Sequence, residues 1–235
     1  MIRSVMALMA KSIYKDAYML VWSILLPLGL FIGLGIYHDG ASYRADLLVA
    51  SMLLSLVMGA INTSGFWTMT QHRRGVFKLL KLSRLPISQF ILCSILARLL
   101  MFVGIAALLL LAGFLLFDMR ISAVGLMLVL ALLIIGSVCF TSIGYAIASR
   151  ARDEGMMNMM STVVSFPMIF LSTAFYSLDQ APRWIQFLSQ LNPFEYAVRM
   201  GRSAIAGAAD VPSIAILVAL AVICAGIAIR TFRVE

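Results

Sequence analysis

The amino-acid sequence predicts an all-α membrane protein of six transmembrane helices, and three observations carry that expectation. Hydrophobic residues fill 63% of the 235 positions and charged residues only 12%, against roughly 25% charged in an average soluble domain. A soluble fold of this size covers its core with charge, and this chain holds too little charge to do so. The apolar runs also have bilayer length. Residues 99–117 and 121–149 contain no charged residue, and a hydrocarbon core of about 30 Å needs about 20 helical residues. Within 99–117, thirteen residues are Leu, Ile, Phe or Val. At roughly −0.45 kcal/mol each they favour insertion by about 6 kcal/mol. Finally, no strand-like alternation is sustained anywhere, which excludes a β-barrel.

The whole chain, 1–235, reads as a single transmembrane domain with spans at about 19–37, 47–67, 91–117, 121–148, 156–178 and 213–229. The first apolar run is longer than the hydrophobic region of a typical signal peptide and reads as an uncleaved anchor. The fourth, about 42 Å long as a helix, must tilt or project into water. Residues 1–17 precede the first span as an interfacial amphipathic helix, with Ile2, Val5, Met6, Met9 and Ile13 on one face and Ser4, Lys11 and Lys15 opposite. Between the second and third spans, residues 71–86 place Arg74, Lys78 and Lys81 at i, i+4 and i+7, with Val76, Leu79 and Leu80 on the other side and Pro86 as a stop. Residues 179–205 predict a pair of short re-entrant helices on the extracytoplasmic side. Trp184, Leu188 and Leu191 form one apolar face, and Asn192-Pro193 breaks the helix. Glu195, Arg199 and Arg202 then share a face in the favourable acid-before-base order.

Sidedness follows from the cations. The N-terminus, 68–98, 149–155 and the C-terminus together hold thirteen of the eighteen Lys and Arg residues, and the opposite segments hold five. Lys/Arg-rich loops stay in the cytosol, so both termini are expected to be cytoplasmic, in the inner (plasma) membrane of a bacterial cell. The net charge of +8 is accounted for by the same rule and requires no nucleic-acid partner.

Several chemistries are excluded. No Gly-x-x-x-x-Gly-Lys-[Ser/Thr] phosphate loop occurs. The two histidines, His38 and His72, fall in predicted loops, so no intramembrane metalloprotease or serine protease is expected. Cys93, Cys139 and Cys224 lie apart in apolar stretches, which argues against a disulfide framework or a zinc site. No carboxylate falls inside a predicted span, so a proton relay lacks its usual groups. Arg98 is the one intramembrane charge. Snorkelling to the cytosolic headgroups is the first expectation for it, and an anion-binding role the alternative. The chain is expected to bear no catalytic site, metal or cofactor of its own.

Two stretches resemble the permease subunits of type-2 ABC exporters. RRGVFKLLKLSRLPISQFILCSILAR, residues 73–98, is similar to that family's cytosolic segment after the second span, with Gly75, Pro86 and Ser88 at its landmarks. FPMIFLSTAFYSLDQAPRWIQFLSQLNPFEYAVRMGRSAI, residues 166–205, resembles the family's hallmark: Pro167, Leu171-Ser172, Ala181-Pro182-Arg183-Trp184 and Asn192-Pro193. The first stretch departs from the family in carrying no acid near its glycine. The resemblance implies two six-span subunits, identical or different, each docking a separate cytosolic ATPase that binds ATP and Mg. In that architecture 71–86 is the cytosolic coupling helix, with Arg73, Arg74, Gly75, Lys78, Lys81 and Pro86 facing the ATPase or the anionic lipid beside it. Asn62, Phe66, Phe166, Phe170 and Phe175 become candidates for a translocation path suited to an amphipathic drug, peptide or lipid, with plain packing as the alternative. Trp184, Asn192, Pro193, Glu195 and Arg199 become candidates for an outer gate. Competing classes are a stand-alone secondary carrier and a non-transporting immunity or scaffold protein.

The cation asymmetry makes a direct prediction. Single cysteines at Ser42 and Ala208 in a cysteine-free background should react with an impermeant thiol reagent on intact cells, and one at Ser83 should not. The reverse labelling pattern inverts the orientation.

Overall fold

The computed structural model describes residues 17–38, 40–73, 87–176, 178 and 181–231. Among these, every regular element is a helix. The interfacial segment 1–16 and most of the coupling segment, 74–86, lie outside the described residues. Helix α1 is Ala17–Tyr37, α2 is Ala41–Val57, and a π-helical segment, Met58–Thr63, joins α2 without interruption to α3, Ser64–Arg73. Helix α4 is Ile87–Phe117, α5 is Ala123–Ala148, α6 is Glu154–Phe170, α7 is Arg183–Gln190, α8 is Pro193–Ile205 and α9 is Val211–Thr231.

Four of these helical stretches are long and apolar enough to cross a membrane: 41–71, 95–117, 123–148 and 211–231. They correspond to the second, third, fourth and sixth predicted spans. Helix α1 runs 21 residues, with Ser23–Tyr37 as its apolar stretch, and α6 runs only 17 residues. At 1.5 Å per residue α6 reaches about 26 Å. The prediction had the fifth span continue to residue 178, but the helix stops at Phe170.

Alternating helix directions gather the connections at two ends. The start of α2 and residues 118–122 lie at one end with the end of α8, where Arg44 covers the Phe117 ring and Gly207 approaches Ser122. The core is built around the α2–π–α3 stretch, whose residues Leu48, Leu53, Leu56, Val57, Ala60 and Ile61 are fully enclosed. Helix α5 packs on α9, α8, α3 and the π segment. Helix α8 inserts between α2, α5 and α9, burying Phe194, Ala197, Val198, Met200 and Ala204.

Small residues set these approaches, as expected where apolar surface alone does not draw helices together. A Cβ at Gly144 would meet the carbonyl oxygens of Ile61 and Ala60 at 2.7 and 2.9 Å, so α5 touches the π segment backbone to backbone. Helix α8 ends at Gly207, whose φ of +75° is the left-handed geometry of a helix C-terminus.

Three hydroxyls inside the bundle return to their own helices: Thr68 donates to the Ser64 carbonyl at 2.7 Å, Ser142 to Val138 at 2.6 Å and Ser165 to Ser161 at 2.6 Å. This i to i−4 bonding lets a polar side chain reside in an apolar bundle without a neighbour's help.

The packing at Gly144 sets up a sign test against Gly104, where a Cβ meets nothing within 4 Å. Gly144→Ala should destabilise by about 1–3 kcal/mol through overpacking, while Gly104→Ala should stabilise by about 0.5–1 kcal/mol through helix propensity. Thermal unfolding midpoints in detergent should therefore move in opposite directions; equal shifts would disprove the close contact.

Candidate functional site

The chain's most polar arrangement lies where α6 gives out. Helix α6 begins with Asp153 as N-cap, its carboxylate accepting from the Met156 N–H at 2.7 Å. It ends in a turn weakened by Pro167, which supplies no N–H to the preceding turn. The carbonyls exposed there find side-chain donors instead. Ser172 Oγ donates to Ile169 O at 2.6 Å. Asn192 Nδ2 donates to Met168 O at 2.6 Å and to Leu171 O at 3.0 Å. The Oδ1 of the same Asn192 accepts from the Phe194 N–H at 3.0 Å as the N-cap of α8, with Pro193 at the first helical position. One side chain thus closes the end of α6 and opens α8. This explains why the helix stops short of the end predicted for the fifth span.

The next residues are held as firmly. Glu195, 1% exposed, accepts from the Thr173 backbone N–H at 2.8 Å and from Thr173 Oγ1 at 3.0 Å. Its other oxygen pairs with Arg199 Nε at 2.8 Å. Arg202 Nη2 donates to the Thr173 carbonyl at 2.7 Å, and Nη1 donates to Thr173 Oγ1 at 3.2 Å. Its Nε lies 2.8 Å from Asp46 Oδ1 on α2. A buried carboxylate is tolerated only when paired and hydrogen-bonded, and Glu195 meets both conditions. Thr173 is the hub, with N–H, carbonyl and hydroxyl all taken by α8. Beside it, Tyr43, Asp46, Leu47, Phe175, Tyr176 and Arg202 line a cavity of about 400 Å³.

Of the predicted outer-gate residues, Asn192, Pro193, Glu195 and Arg199 come together here. Trp184, 62% exposed on α7, stands apart from the network. The sequence pattern does not point to Thr173 or Asp46, and it puts Arg202 on the Glu195 face without a partner. Asp46 also revises the expectation that spans lack carboxylates, because α2 begins at Ala41 rather than 47 and takes in both Arg44 and Asp46. Arg44 is accommodated by donating to Gly35 O at 2.9 Å and covering the Phe117 ring at 4.5 Å.

The predicted path residues do not converge. Phe166 and Phe170 stack at 6.1 Å on the exposed face of α6. Phe175 lines the cavity. Asn62, on the π segment, donates to Met58 Sδ at 3.3 Å, and Phe66, on α3, is half-buried. Among the coupling residues, Arg73 is the last residue of α3, and Arg74, Gly75, Lys78, Lys81 and Pro86 lie outside the described residues.

Arg98 departs from its expected snorkelling position. It is 3% exposed, its Nη2 donating to the Thr63 carbonyl at the end of the π segment, 3.3 Å away, with the guanidinium 5.8 Å from the Trp67 ring. The π segment and an aromatic face offer it acceptors inside the bundle, so the side chain turns inward.

A helical bundle with apolar runs of membrane length defines a multi-pass membrane protein. The chain matches the model of the family described as ABC-2 type transporter over residues 2–206, and it belongs to that family. It is therefore a membrane subunit of an ABC transporter, a class whose membrane subunits carry no catalytic site and work with ABC ATPase subunits. No curated protein matches the sequence.

The double role of Asn192 is testable. Asn192→Ala removes both donors from the α6 carbonyls and the acceptor from Phe194, and should cost about 1–3 kcal/mol for the buried groups left unpaired. Asn192→Asp keeps the acceptor but sets a charge against two carbonyls, and should be no more stable than the alanine variant. A thermal midpoint unchanged in both variants would contradict the capping role.

Proposed function

We propose that the chain is the membrane-spanning half of an ATP-driven exporter, in which two such subunits, identical or different, associate and each docks one cytosolic ATPase. The substrate, an amphipathic drug, peptide or lipid-like molecule, leaves along the subunit interface. ATP and Mg act on the partner ATPase, and the present chain supplies the path and its closure.

One observation carries this reading. The stretch 171–176, where α6 is interrupted, is fastened to α8 by side-chain hydrogen bonds centred on Thr173, and Arg202 of α8 is ion-paired in turn with Asp46 on α2. Such bonds can be exchanged for water or for other partners, whereas an unbroken helix offers no such joint. Asn192, Glu195, Arg199 and Arg202 then act as the fasteners of an outer gate that releases as a unit. Cation asymmetry supports an extracytoplasmic position for this end.

In this reading α6 is the fifth of six spans, α1 the first, and α7 and α8 are the re-entrant pair. The exposed apolar stripe of Val163, Phe166 and Phe170 faces the second subunit and the path. Arg73, Arg74, Gly75, Lys78, Lys81 and Pro86 form the docking segment for the ATPase, where basic side chains also meet anionic headgroups.

Affinity purification from native membranes tests the central point. The tagged chain should bring down a subunit that hydrolyses ATP. Arg74→Glu combined with Lys78→Glu should reduce its recovery at least tenfold while the chain still inserts. A chain that purifies without any ATP-hydrolysing partner overturns the assignment; a partner retained in full by the reversed variant moves the docking site elsewhere.

A further inference from the structure

The cavity beside Thr173 has a lining that the gate does not use. It lies between the start of α2, the stretch 173–176 and α8, and its volume of about 400 Å³ falls in the range of small-molecule sites. Arg202 is spent within the protein, on Thr173 and on Asp46. Arg44, the other nearby cation on α2, is turned to the Gly35 carbonyl and the Phe117 ring. Arg199 is held by Glu195 and lies 5.8 Å from the Tyr196 ring.

What remains available to an occupant is of the opposite character. Asp46 is 41% exposed at its side chain, and a carboxylate offers about four acceptor sites, of which the Arg202 contact occupies one. Tyr43, Phe175 and Tyr176 line the same cavity with Leu47 and Ala174. A carboxylate in a cavity lined by three aromatic residues can bind an organic ammonium group, because ring faces attract a cation and the carboxylate adds its charge. The aliphatic residues leave room for an apolar substituent.

We propose that this cavity is a binding site for amphipathic organic cations, quaternary or protonated amines that carry an aryl or alkyl group. Asp46 and the rings of Tyr43, Phe175 and Tyr176 receive the ammonium group, and Leu47 and Ala174 receive the apolar part. The assignment rests on the exporter reading for its meaning in transport, since it gives the substrate class at the outer gate. The same ammonium chemistry occurs on a solute and on the choline headgroup of phosphatidylcholine.

The test uses radiolabelled benzyltrimethylammonium and the purified permease in nanodiscs, and needs no ATPase. In phosphatidylglycerol discs the cation should bind saturably, and neopentylbenzene, its uncharged isostere, should compete at least tenfold more weakly than the unlabelled cation. Asp46→Asn should weaken binding at least tenfold. Tyr176→Ala, which disturbs none of the bonds on Thr173, should weaken it at least threefold and serves as the check if Asp46→Asn fails to purify as a monodisperse protein. In phosphatidylcholine discs, a matching loss of affinity assigns the site to the lipid headgroup, and unchanged affinity assigns it to a free solute. No saturable binding, equal competition by neopentylbenzene, or wild-type affinity in Tyr176→Ala overturns the proposal. ATPase recovered with a permease that binds no cation would refute this site alone and leave the exporter reading standing.

Discussion

Hydrocarbon offers no hydrogen bonds, so a polar group carried into the bundle is stabilised when it finds a partner within it. The rest of the architecture follows from how that demand is met at the places where a plain helix cannot meet it. The hydroxyls of Thr68, Ser142 and Ser165 turn back to their own helices. The interrupted end of α6 borrows donors from Ser172 and Asn192. Glu195, almost fully buried, is accepted because Thr173 and Arg199 saturate it. Each solution ties together segments far apart in sequence, and those ties fix where α8 sits.

The polar junction and the buried arginine answer the same demand differently. At Thr173 several charges of both signs meet and share one backbone residue, so the site is dense in bonds and neutral in sum. Arg98 has a carbonyl and an aromatic ring but no carboxylate partner among the described residues. An arginine so placed is held largely by polarisable neighbours, and its two contacts link α4 to the α2–π–α3 stretch. The bundle is thus cross-linked by polar groups near both ends, with apolar packing between.

The long helices were legible in the sequence because uncharged runs of bilayer length have few other solutions. So was the break at Asn192-Pro193, since proline restricts the residue before it, and so was the Glu195–Arg199 pair at i, i+4 spacing. What escaped the sequence was settled by tertiary contacts. The stop of α6 at Phe170 depends on a donor 24 residues beyond Met168, and nothing local announces it. The early start of α2 at Ala41 is possible because Arg44 and Asp46 find partners on other segments. Burial of Arg98 depends on a carbonyl 35 residues away. The π segment, Met-Gly-Ala-Ile-Asn-Thr, has no compositional mark to distinguish it from ordinary helix.

That segment has a geometric consequence. A π turn amounts to a single extra residue accommodated within an α-helix, and one residue corresponds to about 100° of rotation at 3.6 residues per turn. The two halves of the second span are therefore out of phase, and the side chains of α3 point where an uninterrupted helix would not send them. It is this offset that brings Gly65 against Gly144 O and Met157 and sets the Thr63 carbonyl and Trp67 beside Arg98. Deleting one residue from 58–63 would wind the span into a regular helix and leave α3 in its present phase, whereas winding the same six residues as plain α-helix would swing all of α3 around its axis by about 100°. The insertion works as a fixed angular offset, through which the far half of the span meets a different set of neighbours from the near half.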